Sequence, residues 1–121
     1  MLDPNNATPE QLRALPGFSA AAADALVAGR PYADMRAVDR VLSRHLSEPQ
    51  RDTIYARLWK PLDLNSATAQ EIELIPGVGP RMRHEFEEYR PYRSMEQFRR
   101  EIGKYVNREE VARLERYVMI R

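Results

Sequence analysis

The sequence contains no cysteine, only two lysines and two histidines, and no apolar run that approaches the roughly 20 residues needed to cross a bilayer. Without cysteine, the chain can form neither disulfides nor thiolate metal sites. His45 and His84 have no companion ligands at metal-binding spacing, so we expect no metal site. The sequence pairs no nucleophile with a base and has no glycine-rich nucleotide loop, and we therefore expect neither an enzyme nor a cofactor.

The chain also lacks an excess of charge of one sign. It has 19 basic and 18 acidic side chains, and neither half is a basic domain. Any contact with nucleic acid must therefore be local, because no overall field would attract a polyanion. All but two of the basic residues are arginine, a side chain well suited to phosphate. A coding bias would produce the same arginine content.

The most informative feature of the sequence is an internal repeat. Twelve residues recur as the identical residue 60 positions later, and no gap is needed to align them. They are Leu2, Asp3, Asn5, Ala7, Thr8, Pro16, Gly17, Arg30, Pro31, Tyr32, Met35 and Arg40. Apolar positions keep the same register, for example Leu26 with Phe86 and Val38 with Phe98. We interpret the chain as a duplication of one module, with units at 1–60 and 61–121.

Helix start and stop signals recur within each copy. Capping boxes are expected at Thr8, Thr68, Ser47 and Ser94, and Pro-Gly or Gly residues separate the segments. The segments show no period-two alternation, so we expect no sheet. The sequence predicts eight helices, over 9–15, 20–28, 35–43, 48–58, 69–75, 80–89, 95–102 and 108–118.

The run from Pro76 to Pro80, Pro-Gly-Val-Gly-Pro, is the sharpest local signal. Its two glycines permit a tight turn, and Pro80 starts the next helix, so backbone N–H groups point outward at a helix N-terminus. Such a site binds an anion, for example a DNA phosphate. Arg81 and Arg83 add charge beside it. We expect a side chain at Gly79 both to obstruct the phosphate and to strain the turn.

The run Asn65-Ser66-Ala67-Thr68, followed by Glu71-Ile72 and then by Ile75 to Pro80, resembles the ComEA-type helix-hairpin-helix module. The resemblance implies an all-α fold of two tandem (helix-hairpin-helix)2 units, a SAM-like, RuvA-C-like bundle. It also implies sequence-independent binding of double-stranded DNA in bacterial DNA uptake or DNA handling. It favours the bacterial periplasm or cell envelope over the cytoplasm. The phosphate-binding positions carried over are Gly77, Val78, Gly79, Arg81 and Arg83.

The other three hairpins depart from this pattern. In the first copy, Ser19 replaces the second glycine and alanines replace the cations, which indicates a structural hairpin. The second hairpin of the second copy is a candidate for a secondary DNA contact, at Gly103, Lys104, Asn107 and Arg108. The corresponding segment 43–47 has no glycine. Glu85, Glu87 and Glu88 would repel DNA if they faced it.

Two functional interpretations remain open. The intact hairpin favours weak DNA binding, whereas the net charge near zero favours a protein-interaction or structural module that has lost DNA binding. The repeated Arg-Pro-Tyr element is either a binding element or, as we expect, the connector between the two hairpins of each copy.

Overall fold

The computed structural model describes all 121 residues and confirms the expectation of eight helices. They are α1 (Pro9–Arg13), α2 (Ala20–Ala28), α3 (Met35–Leu42), α4 (Glu48–Tyr55), α5 (Ala69–Ile72), α6 (Pro80–Glu88), α7 (Met95–Ile102) and α8 (Arg108–Glu115). The chain divides into two units, Met1–Lys60 with α1 to α4 and Pro61–Arg121 with α5 to α8. We call them unit 1 and unit 2.

Six helices end earlier than the sequence predicts, α3 and α6 by a single residue. α1 stops at Arg13 instead of 15, and α4, α5 and α8 stop three residues early. The cause is a tightened last turn, in which an N–H donates to the carbonyl three residues back. The Leu15 N–H, for example, donates to the Leu12 carbonyl at 3.1 Å, and Ile75 donates to Ile72 at the same distance.

The expectation of no sheet is wrong. Two-residue strands β1 (Leu62–Asp63) and β2 (Val118–Met119) pair in parallel in unit 2, and Leu2 pairs with Leu58 at the corresponding place in unit 1. In both units the pairing joins the first residues to the segment after the last helix. Strands of two residues are too short to show alternation, so the sequence carried no signal for them.

Each unit has its own hydrophobic core, made from the apolar positions that the repeat aligns. All seven aligned pairs are buried: Leu12 and Ile72, Leu15 and Ile75, Leu26 and Phe86, Val38 and Phe98, Leu42 and Ile102, Ile54 and Leu114, and Leu58 and Val118. In unit 2 the Phe86 and Phe98 rings meet edge to face, with centroids 5.4 Å apart. None of the eight helices is long and apolar enough to cross a membrane.

The repeated Arg-Pro-Tyr element is the connector between the two helix pairs of each unit. In unit 2 the Arg90 guanidinium donates to the carbonyls of Leu64 and Ala67 at 2.6 and 2.7 Å. The Tyr92 side chain is buried and its hydroxyl donates to the Phe86 carbonyl at 2.8 Å. The side chain of Asn65 brackets the Tyr92 backbone, accepting from its N–H and donating to its carbonyl.

The same connector contacts occur in unit 1. Arg30 donates to the carbonyls of Pro4 and Ala7, and Asn5 brackets the backbone of Tyr32. The arginine and tyrosine of the Arg-Pro-Tyr element and the asparagine of the Asn-x-Ala-Thr sequence therefore hold each unit together.

Candidate nucleic-acid interface

The turn between α5 and α6 is held by one glycine and one buried side chain. Gly77 has a φ of 83°, in the left-handed region that favours glycine. Val78 is buried, and its N–H donates to the Ile75 carbonyl at 3.0 Å. Val78 therefore offers a phosphate no free backbone donor, because its N–H is already bonded and its side chain anchors the turn.

The N-terminus of α6 differs from those of the other helices. Seven helices have an N-cap side chain that accepts from a backbone N–H, whereas Gly79, the N-cap of α6, has none to offer. In unit 1, the Ser19 hydroxyl accepts from the Ala22 N–H at 3.2 Å. The corresponding N–H, that of Met82, has no such acceptor. The first turn of α6 thus keeps its donors and the positive end of its dipole for an external anion.

Replacing Ser19 with alanine is expected to affect stability alone. The variant loses the cap of α2, which should lower the free energy of unfolding by about 0.5–2 kcal/mol. Urea denaturation followed by circular dichroism measures this loss, and a titration with duplex DNA should show unchanged affinity. A clear loss of affinity in the folded variant would mean that the unit 1 hairpin also contacts DNA.

There is room for a side chain at Gly79. A Cβ built there meets no atom within 4 Å, and the φ of −102° is accessible to any residue. The expected strain in the turn is therefore wrong, while the expected obstruction of an incoming group stands as a prediction. At Gly77, by contrast, a Cβ would lie 3.1 Å from the Arg113 guanidinium, in addition to the strain of the positive φ.

The two arginines of α6 differ in their contacts. Arg81 is exposed and makes no ion pair or hydrogen bond. Arg83 contacts Glu73 and Glu87 at 3.0 and 2.9 Å, and hydrogen bonds from these carboxylates raise the pKa of its guanidinium. A phosphate would have to compete with two glutamates for Arg83, so Arg81 is the better of the two predicted contacts. Because Glu87 is ion-paired with Arg83, its charge is compensated and repels a phosphate less.

The second hairpin of unit 2 offers less than the sequence suggested. Asn107 caps α8, accepting from the Glu110 N–H at 2.8 Å, and Gly103 has an ordinary helical φ of −61°. Lys104 is paired with Glu101 at 2.8 Å. Arg108 is exposed and has no ion pair, so it is the one cation of this hairpin that is free for a phosphate.

Tyr105 is an exposed residue beside the site that sequence reasoning missed. It is 46% exposed, and apart from Met1 it is the one large hydrophobic residue that is exposed. Its hydroxyl lies 2.6 Å from that of Tyr89, and this hydrogen bond raises the pKa of the Tyr105 hydroxyl. Tyr105 borders a cavity of about 320 Å³ together with Arg81, Met82 and Glu85. The repeat offers a signal for it, since this tyrosine aligns with His45, whereas the glycine content and charge of the hairpins do not reveal it.

His84 has companions after all. The ligand atoms of His84, Glu85 and Glu88 lie within 4.8 Å of one another along α6, with Glu85 half-buried and the other two exposed. Exposed acidic groups commonly lie this close without a metal, so the cluster carries no metal assignment. The start of α6 thus combines an open helix terminus with the unpaired Arg81, and the exposed Tyr105 lies next to it. Comparison of the chain with protein-family models, with curated proteins and with solved structures found no match.

Proposed function

We propose that the chain binds double-stranded DNA through its phosphates, without sequence preference, and that its architecture is two tandem (helix-hairpin-helix)2 units. The observation that carries the proposal is the open N-terminus of α6. No side chain caps it, Gly79 precedes the helix, and the unpaired Arg81 is in its first turn. Each unit contains two helix pairs joined by short turns, with α5 and α6 forming the pair that presents this terminus.

The chemistry of this terminus suits a phosphate diester. Backbone N–H groups at a helix start donate hydrogen bonds to an anion, and the helix dipole adds a partial positive charge. The absence of a side chain at Gly79 lets a bulky polymer backbone approach the N–H groups closely. Arg81 can add a charge-assisted hydrogen bond. Because none of these donors reaches a base edge, binding should carry no sequence information.

The number of contacts should be small, and the salt dependence of binding measures it. With one open hairpin and Arg108 as a helper, we expect about two to four phosphate contacts. The logarithm of affinity should therefore fall against the logarithm of salt with a slope of roughly −2 to −4. Gel-shift titrations of a random duplex at low and moderate salt give this slope. A slope near −8, or a strong preference for one duplex sequence, would contradict a single competent hairpin.

A protein-interaction module is the second candidate function, and one surface favours it. A cavity of about 490 Å³ lies along α8, and its lining includes Val106, Val111 and Ala112 together with Arg108 and the ion-paired Arg99 and Glu115. The net charge of +1 gives DNA no general attraction. If the folded chain binds no duplex at low salt, the protein-interaction function replaces the DNA-binding one.

A further inference from the structure

We propose that unit 2 contains a pocket for one unpaired nucleotide, so that the protein prefers a duplex carrying a single-stranded tail to a blunt duplex. This inference rests on the proposed DNA-binding function and names the DNA structure that the same site selects. The pocket is the cavity of about 320 Å³ bordered by Arg81, Met82, Glu85 and Tyr105. Its volume is at the lower end of the range, about 300–1,000 Å³, of small-ligand sites.

The Tyr105 ring is held in position before any ligand arrives. Its hydroxyl is hydrogen-bonded to that of Tyr89 at 2.6 Å, and the residue is 46% exposed. The Tyr89 ring below is itself covered by Lys104, whose Nζ lies 5.6 Å from the ring centroid. A fixed, exposed aromatic ring loses little conformational entropy when a flat group stacks on it.

Unit 1 shows that the fold does not need these side chains. The residues aligned with Arg81, Met82, Glu85, Tyr89 and Tyr105 are small, except for one histidine. In order, they are Ala21, Ala22, Ala25, Gly29 and His45. Unit 1 nevertheless builds the same helices, the same left-handed glycine and the same Arg-Pro-Tyr connector. Packing alone therefore does not explain why unit 2 places a cation, a carboxylate and two tyrosines around this cavity.

The combination identifies the ligand as an unpaired nucleotide. A base has a flat face that can stack on Tyr105, and its phosphate can pair with Arg81 beside the open start of α6. Bases within an intact duplex are stacked on one another and cannot reach the ring. A nucleotide next to the end of a duplex can do so while the neighbouring phosphates stay on the hairpin.

Fluorescence anisotropy with the full chain tests the preference, using a blunt duplex and the same duplex extended by a short unpaired thymidine tail. The wild type should bind the tailed duplex about tenfold more tightly, which corresponds to about 1.4 kcal/mol and lies within the range for one base on an aromatic ring. Tyr105→Leu should abolish this preference and leave affinity for the blunt duplex within about twofold. Tyr105→Phe, which keeps the ring, should retain most of it. His45→Leu, the matched change in unit 1, should alter neither affinity.

The outcomes separate this inference from the proposed function. Equal affinity of the wild type for both duplexes, with binding still weakened by Arg81→Ala, would overturn the pocket and leave duplex binding in place. A Tyr105→Leu loss of the same size on both duplexes would also overturn it, because Tyr105 would then be a general contact. No binding of either duplex by folded protein would overturn the proposed function and the pocket together.

Discussion

Replacing Gly79 with valine is expected to weaken binding to duplex DNA by about tenfold or more while the fold stays intact. A Cβ at this position meets no other part of the protein within 4 Å, so we expect valine to block an approaching phosphate and to leave the fold intact. The loss corresponds to one charge-assisted hydrogen bond, about 1.5–3 kcal/mol. Anisotropy titration gives the affinity, and circular dichroism of the same sample shows that the helices remain.

Gly79→Ser makes the same test sharper, because it copies the residue that unit 1 carries at this place. The serine hydroxyl should accept from the Met82 N–H, as Ser19 does from Ala22, and stabilise unit 2 by a few tenths of a kcal/mol. The variant is thus expected to be slightly more stable and yet to bind DNA more weakly. Loss of fold cannot produce that combination. Unchanged affinity in both Gly79 variants would show that the hairpin does not contact DNA.

The two arginines of α6 complete this series. Arg81→Ala should weaken DNA binding because it removes an exposed cation that has no other partner. Arg83→Ala should have a smaller effect on affinity, since Glu73 and Glu87 already hold this guanidinium. Equal losses from both would mean that DNA displaces the glutamates from Arg83.

Much of the fold could be predicted because each helix start is encoded locally. Thr8 and Ser47 form the expected capping boxes with Gln11 and Gln50. Thr68 and Ser94 cap their helices as well, but without the reciprocal bond of a capping box. The repeat then placed the core, since Leu26 and Phe86 occupy the same buried position. The two strands could not be predicted, because the pairing of Leu62 with Val118 joins residues far apart in the chain and leaves no local pattern.

The site was predictable only in part, for a similar reason. Gly77 and Gly79 are enough to predict a turn, but the ion pair of Arg83 depends on Glu73, ten residues away across the hairpin. Tyr105 became visible as part of the site only when the structure placed it beside Arg81. Backbone donors and turns follow from short sequence motifs, whereas the availability of a side chain depends on its neighbours in space.

The connector arginines should have the largest effect on stability, and the effect should be similar in both units. Arg30→Ala and Arg90→Ala each remove a guanidinium that donates to two backbone carbonyls, those of Pro4 and Ala7 or of Leu64 and Ala67. We expect each change to lower the free energy of unfolding by about 2–4 kcal/mol, because hydrogen bonds to a charged group are strong and the carbonyls lose their partners. Lysine should not rescue either site, since an ammonium cannot reproduce the planar fork.

Urea denaturation provides the measurement, with Arg93→Ala as the control because Arg93 is exposed and has no ion pair. Circular dichroism follows the unfolding of all eight helices. The fluorescence of Trp59, the only tryptophan, which is buried and belongs to unit 1, reports separately on the unfolding of unit 1 in Arg30→Ala. A loss no larger than that of Arg93→Ala would contradict the structural role of the connector. Similar losses in the two units, beside DNA effects confined to Gly79 and Arg81, would show that the duplication kept its scaffold in both copies and its open helix terminus in one.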